Sequence, residues 1–125
     1  MGLFSNPPKT IGQWGEDQAL KYLRKKGYRL IDRNYSCRFG EIDLIVSDHR
    51  NVIFVEVKTR KNDHFGEAKE YVSPSKQRRV LNAASEWLSA HDSAMDPRFD
   101  VIEVYGTMEM PYRKLIIRQI ENAFD

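Results

Sequence analysis

Apolar and polar positions along this chain follow two periods, one helical and one alternating. Between Thr10 and Lys26 the apolar residues Ile11, Trp14, Ala19, Tyr22 and Leu23 recur at helical spacing, with Thr10 as the capping residue and Gly27 as the stop. Tyr28 to Tyr35 reads as a first strand. Gly40 to Ser47 and Asn51 to Thr59 are apolar strands either side of a polar turn, the signature of a hairpin. Residues 60–72 form a polar loop. Ser73-Pro74 then opens a second helix that runs to Ala90, with Val80, Leu81, Ala84, Trp87 and Leu88 as its buried stripe. Phe99 to Tyr105 and Arg113 to Ile120 predict a fourth and a fifth strand around a turn at residues 106–110.

The order is helix, three strands, helix, two strands. A helix that crosses between the third and fourth strands makes those two run parallel. The expectation is an α/β architecture: a mixed five-stranded central sheet flanked by helices. The 125 residues suffice for one domain, residues 10–125, after a loose tail at residues 1–9 that carries Pro7-Pro8. No apolar run reaches the length of a membrane span and no secretory segment opens the chain. Asn6 stands where a myristoylation signal wants a hydroxyl. The lone Cys37 has no internal disulfide partner, in keeping with a reducing, cytoplasmic setting.

The hairpin carries the chemistry. With its turn centred on His49-Arg50, Asp43 falls opposite Glu56 and Glu41 opposite Lys58. Directly opposed residues have Cβ atoms about 4.5–5.5 Å apart, close enough for two carboxylates to share one cation. Strict alternation puts Glu41, Asp43, Glu56 and Lys58 on one face and Ile42, Leu44, Val55 and Val57 on the core-facing one. A shift of one residue would break this arrangement. Hydrolysis of a phosphodiester needs a cation for the charge growing on phosphate, an activated water, and a positive group nearby. Asp43 and Glu56 can hold Mg²⁺ or Mn²⁺, which need only one or two protein carboxylates; the Val57 carbonyl could add an oxygen, and Lys58 can orient the water. No Cys/His spacing suits zinc.

The same residues also fit a cross-strand ion-pair network on a solvated face, where each pair contributes about 0–1 kcal/mol. Against that, Leu44-Ile45-Val46 and Val52-Ile53-Phe54-Val55 read as buried on both faces, so charges at their rim cost desolvation unless used or paired. Two readings of Glu16 stand: an acid reaching the sheet edge, or a partner of the helix dipole. Glu41 either joins the site or pairs with Lys58. Trp14 and Trp87 read as core. His49 and His64 lack catalytic partners in the sequence, and His91 ends a helix, where a cation suits the dipole.

Net charge is only +2, but its distribution is uneven. Between Val57 and Val80 seven basic residues, Lys58, Arg60, Lys61, Lys69, Lys76, Arg78 and Arg79, face only three acids, and acids dominate from Ala84 to Met110. The basic stretch directly follows the proposed site, where the flanking phosphates of a polyanion would lie. Arg60, Lys61, Lys76, Arg78 and Arg79 are therefore the candidates for nucleic-acid contact; a solvated surface is the competing reading.

Gly40-Glu41-Ile42-Asp43-Leu44-Ile45, then Phe54-Val55-Glu56-Val57-Lys58-Thr59-Arg60, resemble the PD-(D/E)XK nuclease signature. With Gly15-Glu16 upstream and Arg98-Phe99-Asp100-Val101 downstream, the chain resembles the YraN-like family of predicted endonucleases, which is similar to archaeal Holliday junction resolvases. The resemblance covers residues 10–120. It implies a restriction-endonuclease-like three-layer fold, Asp43, Glu56 and Lys58 at the motif positions, Glu16 as a helix-borne acid of the catalytic and metal site, and Lys76 as a basic residue on the second helix. It further implies Mg²⁺- or Mn²⁺-dependent endonuclease activity on DNA, including branched or recombining DNA, by a homodimer. Ile42 replaces the motif proline. Leu81 follows Gln77 where a RecB-like exonuclease has tyrosine. The alternative from another class is a non-catalytic nucleic-acid-binding or adaptor domain that retains the nuclease fold; a structural or interaction protein with an acidic ion-pair face is the third.

Overall fold

The structure is a computed structural model that describes residues 9–61, 72–91 and 94–124. The expected tail, His64 and most of the expected polar loop lie outside the described residues. Helix α1 (Ile11–Lys25) starts as Thr10 predicts. Its Oγ1 accepts the Gln13 N–H at 3.1 Å and its own N–H donates to Gln13 Oε1 at 3.0 Å, a reciprocal capping box. Gly27, at φ +97°, ends the helix. The chain then enters β1 (Arg29–Cys37), β2 (Gly40–Ser47) and β3 (Asn51–Arg60), crosses through α2 (Pro74–His91), and finishes with β4 (Asp96–Tyr105) and β5 (Ile116–Ile120). Ser73 caps α2 by accepting the Lys76 N–H at 3.2 Å.

The strands lie in the order β1-β2-β3-β4-β5, with β3 and β4 parallel and the other neighbours antiparallel. Each face of the sheet carries one helix. Trp14, Ala19, Leu20 and Leu23 of α1 pack on Leu44, Val46, Ile53, Val55, Ile102 and Val104. On the other face Val80, Ala83, Ala84 and Trp87 of α2 pack on Ile42, Ile45, Val52, Phe54 and Val101. Both tryptophans are core, as expected. Helix, sheet, helix is the three-layer arrangement of the restriction-endonuclease-like fold.

β1 runs from Arg29 to Cys37 rather than from Tyr28 to Tyr35, β3 reaches one residue further than expected, and the starts of two other strands differ by three residues. β4 begins at Asp96 rather than Phe99, because Asp96 and Pro97 already pair with Asn51 and Val52 of β3. The turn-forming residues there hide an extended edge that only the neighbouring strand makes visible. β5 begins at Ile116 rather than Arg113, because Pro111 leads into a 3-10 turn at Tyr112–Lys114.

The hairpin register is as the turn centre predicts: Leu44 pairs with Val55, Ile45 with Phe54, Val46 with Ile53 and Ser47 with Val52. Asp48 builds the turn, its Oδ1 accepting the N–H groups of Arg50 at 2.8 Å and Asn51 at 2.6 Å. Strict alternation fails, however. Leu44 packs under α1 whereas Ile42 packs under α2, although residues two apart should share a face. Opposite them, Arg33 reaches α1 while Tyr35 packs on the α2 side. Both strands turn over at one level, where Asn34 has φ +55°. The expected common face of Ile42, Leu44, Val55 and Val57 therefore holds for the last three and excludes Ile42.

Candidate nuclease site

The site lies at the edge of the apolar sheet, where β2 and β3 leave their ladder. The ladder's last pair is Leu44–Val55. Beyond it the Asp43 carboxylate accepts the Val57 N–H through Oδ2 at 2.8 Å. Glu56 is buried, with 7% of its surface exposed. Burial lifts the Glu56 carboxyl above its usual range, and the Asp43 charge adds to this, against the pull of the Lys76 and Lys58 ammonium groups. Burial likewise lifts Asp43, with the Glu41 charge adding to it, opposed by the Val57 N–H, Lys76 and Lys58. Two acids thus disfavour each other's charge in a poorly solvated corner.

Two lysines approach the pair. Lys58 Nζ is 3.8 Å and Lys76 Nζ 3.4 Å from Glu56 Oε2. The sequence assigns Lys58 to this cluster. It assigns Lys76 to phosphate contact, whereas the fold brings it from the first turn of α2 onto the acid of β3. The predicted Glu41–Lys58 pairing does not form. Glu41 is exposed past the end of the ladder, and the Lys58 ammonium approaches Glu56 of its own strand instead. The face switch explains this, because Glu41 and Asp43 no longer share a side.

Glu16 comes from α1. A Cβ on Gly15 would collide with Thr59 Oγ1, so only glycine lets the helix sit this close to β3 beside Lys58. Burial and the neighbouring Asp43 raise the Glu16 carboxyl, while Arg33 and the Asn34 side chain pull it down. Arg33 Nη2 stands 3.4 Å from Glu16 Oε1 and 2.9 Å from Asp17 Oδ1 and donates to the Gln13 carbonyl at 3.2 Å. Neither Arg33 nor Asn34 is singled out by the sequence. A polar pair inside a predicted strand just before the motif was the available signal.

Among the described residues, no three His, Cys, Asp or Glu side chains gather into a ready-made metal cage. The arrangement is a carboxylate pair with Glu16 beside Asp43. Its donors are hard oxygens, and Asp43 Oδ1 carries no hydrogen bond among the described residues. Mutual charge repulsion in a buried setting is what a divalent cation relieves, so Asp43 and Glu56 fit Mg²⁺ or Mn²⁺.

The candidate phosphate contacts divide. Arg78 and Arg79 are exposed on the first turns of α2, and Lys61 is exposed at the end of β3. Arg60 is partly tied down, with Nε 3.7 Å from the buried Glu103, which Arg118 also approaches at 3.5 Å.

Arg98 and Asp100, part of the downstream motif, lie in a separate knot. Asp100 is wholly buried and accepts Arg98 Nε at 3.0 Å and Nη2 at 2.9 Å, Gln119 Nε2 at 2.9 Å and the Asn122 N–H at 3.2 Å. This knot ties β4 to the chain after β5 and takes no part in the acidic pair.

Sheet, helices and rim acids together define a restriction-endonuclease-like α/β protein. The chain belongs to the uncharacterised protein family UPF0102, whose model matches residues 15–104; this is the family the two motif segments resemble. It is 47% identical over 109 residues to a UPF0102 protein of Vibrio parahaemolyticus, covering 86% of this chain and 88% of that one. A UPF0102 protein of Caldanaerobacter subterraneus is 44% identical over 120 residues, covering 93% and 95%. One of Geobacter metallireducens is 40% identical over 119 residues, covering 94% and 93%. No helix among the described residues is long and apolar enough to cross a membrane.

Proposed function

We propose that this protein is a metal-dependent nuclease that hydrolyses phosphodiester bonds in DNA. The observation that carries the reading is the pair formed by the half-buried Asp43 and the buried Glu56, each acid raised above its ordinary pKa, with the Lys58 ammonium alongside. Structural ion pairs gain little at a rim, and an acid pair held this way costs stability, so its retention points to use.

Asp43 and Glu56 would hold Mg²⁺ or Mn²⁺, with Glu16 completing the acidic side. Bound there, the cation supplies charge stabilisation for phosphate and lowers the pKa of water. The Val57 N–H fixes the rotamer of Asp43. Lys58 places an ammonium where an attacking water can be oriented. Lys76, the nearest ammonium to Oε2, favours the charged form of Glu56 against the effect of burial. Lys61, Arg78 and Arg79 offer exposed cations for flanking phosphates. Branched or recombining DNA is the substrate class that the resemblance to resolvases suggests, and two symmetric cuts in a junction require two copies of the site.

The test is cleavage of linear, single-stranded and four-way DNA with Mg²⁺ or Mn²⁺. Wild type cuts at least one of them; Asp43→Asn and Lys58→Ala bind the same DNA without cutting it. A protein that binds DNA and cuts none of these substrates is instead the adaptor domain, its Glu56 neutralised permanently by two lysines.

A further inference from the structure

The face switch in β1 and β2 coincides with the site, and one residue sits at its centre. Between the Arg33–Leu44 and Tyr35–Ile42 pairs, Asn34 stands opposite Asp43. Its φ of +55° is left-handed, inside a strand that is otherwise extended. Side chains other than glycine avoid this region, and asparagine tolerates it best. Among the described residues the other such case, Asn122 at φ +51°, lies in the turn after β5, an ordinary place for it.

The consequence runs through both strands. N-terminal to the switch, Arg33 points to α1 and holds Glu16 and Asp17. C-terminal to it, Tyr35 packs against the α2 side. Across the ladder, Leu44 lies under α1 and Ile42 under α2. Without the switch, Glu41 and Asp43 would share a face; with it, Glu41 is left exposed while Asp43 turns inward to Val57. The Asn34 side chain meanwhile favours the charged form of Glu16, the acid that α1 brings alongside Asp43.

We propose that Asn34 is a positioning residue of this site: its left-handed backbone turns the two strands over at the level of Asp43, and its amide holds Glu16 beside that carboxylate. The proposal rests on the reading of these acids as a metal site, and it separates into two parts that chemistry can distinguish. Glycine at position 34 keeps the backbone conformation and removes the amide. Alanine removes the amide and also strains the backbone.

The experiment compares wild type, N34G, N34A, E16A and the N34G/E16A double variant, by urea unfolding and by titration with Mn²⁺ alone, following the free ion by electron paramagnetic resonance. N34G should unfold close to the wild-type midpoint and N34A at clearly lower urea. N34G should bind Mn²⁺ several-fold more weakly than wild type, and adding N34G to E16A should weaken it no further, because Asn34 acts through Glu16. N34A as stable as N34G would overturn the backbone role. Wild-type Mn²⁺ affinity in N34G, or independent multiplication of the two effects, would overturn the amide role. If wild type binds no Mn²⁺, the metal-site reading fails, and the unfolding data then decide the contact by themselves: non-additive midpoints of N34G and E16A sustain it, and additive ones remove it.

Discussion

The Val57 N–H donates to Asp43 Oδ2 at 2.8 Å, so the backbone of β3 fixes the acid of β2 at the point where their ladder ends. The neighbouring residue, Glu56, is the second acid. One strand thereby supplies a carboxylate, the amide that orients its partner, and the Lys58 ammonium, all within three positions.

The first expectation concerns pH. Asp43 and Glu56 have ordinary values of 3.8 and 4.5, and burial raises both in the folded protein. The folded state therefore keeps protons that the unfolded chain has released. Their contribution to stability is greatest in acid and declines as pH rises from about 4 through the raised folded values. Each pH unit of displacement is worth about 1.4 kcal/mol. Asp43→Asn removes one such acid and keeps an acceptor for Val57. Its stability relative to wild type should improve as pH rises from about 4 through the raised folded value and then level off, without metal, as read by urea unfolding at each pH. A difference that does not change with pH contradicts the raised carboxyl of Asp43.

Saturating Mg²⁺ or Mn²⁺ should raise the unfolding temperature of wild type at neutral pH, and more than that of Asp43→Asn. A ligand that binds only the folded state stabilises by about 2.7 kcal/mol at one hundred times its dissociation constant. Equal shifts in both proteins would place metal binding elsewhere.

Lys76 and the arginines next to it should separate in function. Lys76 is 3.4 Å from Glu56, whereas Arg78 and Arg79 are exposed. Lys76→Met should tighten Mn²⁺ binding a few-fold, since an ammonium no longer competes for Oε2. Arg78→Ala and Arg79→Ala should leave Mn²⁺ binding unchanged and make DNA binding less sensitive to salt, the logarithmic slope falling by about one for each phosphate no longer neutralised. Isothermal titration of metal and binding isotherms at several salt concentrations decide between the two roles.

Gly15→Ala should cost about 1–3 kcal/mol, an overpacking penalty, because the added methyl meets Thr59 Oγ1. Thr59→Ala in the same chain should recover most of that stability by removing the oxygen. Cleavage should fall with Gly15→Ala as α1 carries Glu16 away from Asp43, and return with the second change. Failure of the double variant to regain stability would remove this contact as the reason for glycine.

Asp100→Ala should lower stability by about 3–5 kcal/mol, since it removes the buried acceptor shared by Arg98, Gln119 and the Asn122 N–H and leaves Arg98 only the Tyr28 hydroxyl and the exposed Glu121. Any cleavage measured on the folded fraction should be close to wild type, because the knot does not touch Asp43 or Glu56. A selective loss of cleavage with intact stability would reassign Asp100 to the site.

Local patterning determined most of the scaffold. The Thr10 cap, Gly27 stop, Ser73-Pro74 start and the two helical stripes act within a few residues of themselves, so they are legible without the fold. The hairpin register follows from a short turn, which is why Leu44–Val55 pairing could be read directly. The parallel relation of β3 and β4 follows from a helix that must cross the sheet. The segments around Asp43 and Glu56 were enough to point to the family.

What only the tertiary structure decided depends on contacts between distant segments. Alternation extrapolates a regular strand, so it cannot see the left-handed Asn34 that turns β1 and β2 over and separates Ile42 and Glu41 from their expected faces. Lys76 lies twenty residues beyond Glu56 in sequence and reaches it only because α2 docks its first turn over the end of β3. Glu16 meets Asp43 because a glycine lets one helix approach Thr59, and Arg33 holds it there from a strand where only its polar character marks it out. The start of β4 at Asp96 is set by the open edge of β3 rather than by any propensity of its own. Periodicity fixes which elements exist; the site arises from side chains that only packing makes neighbours.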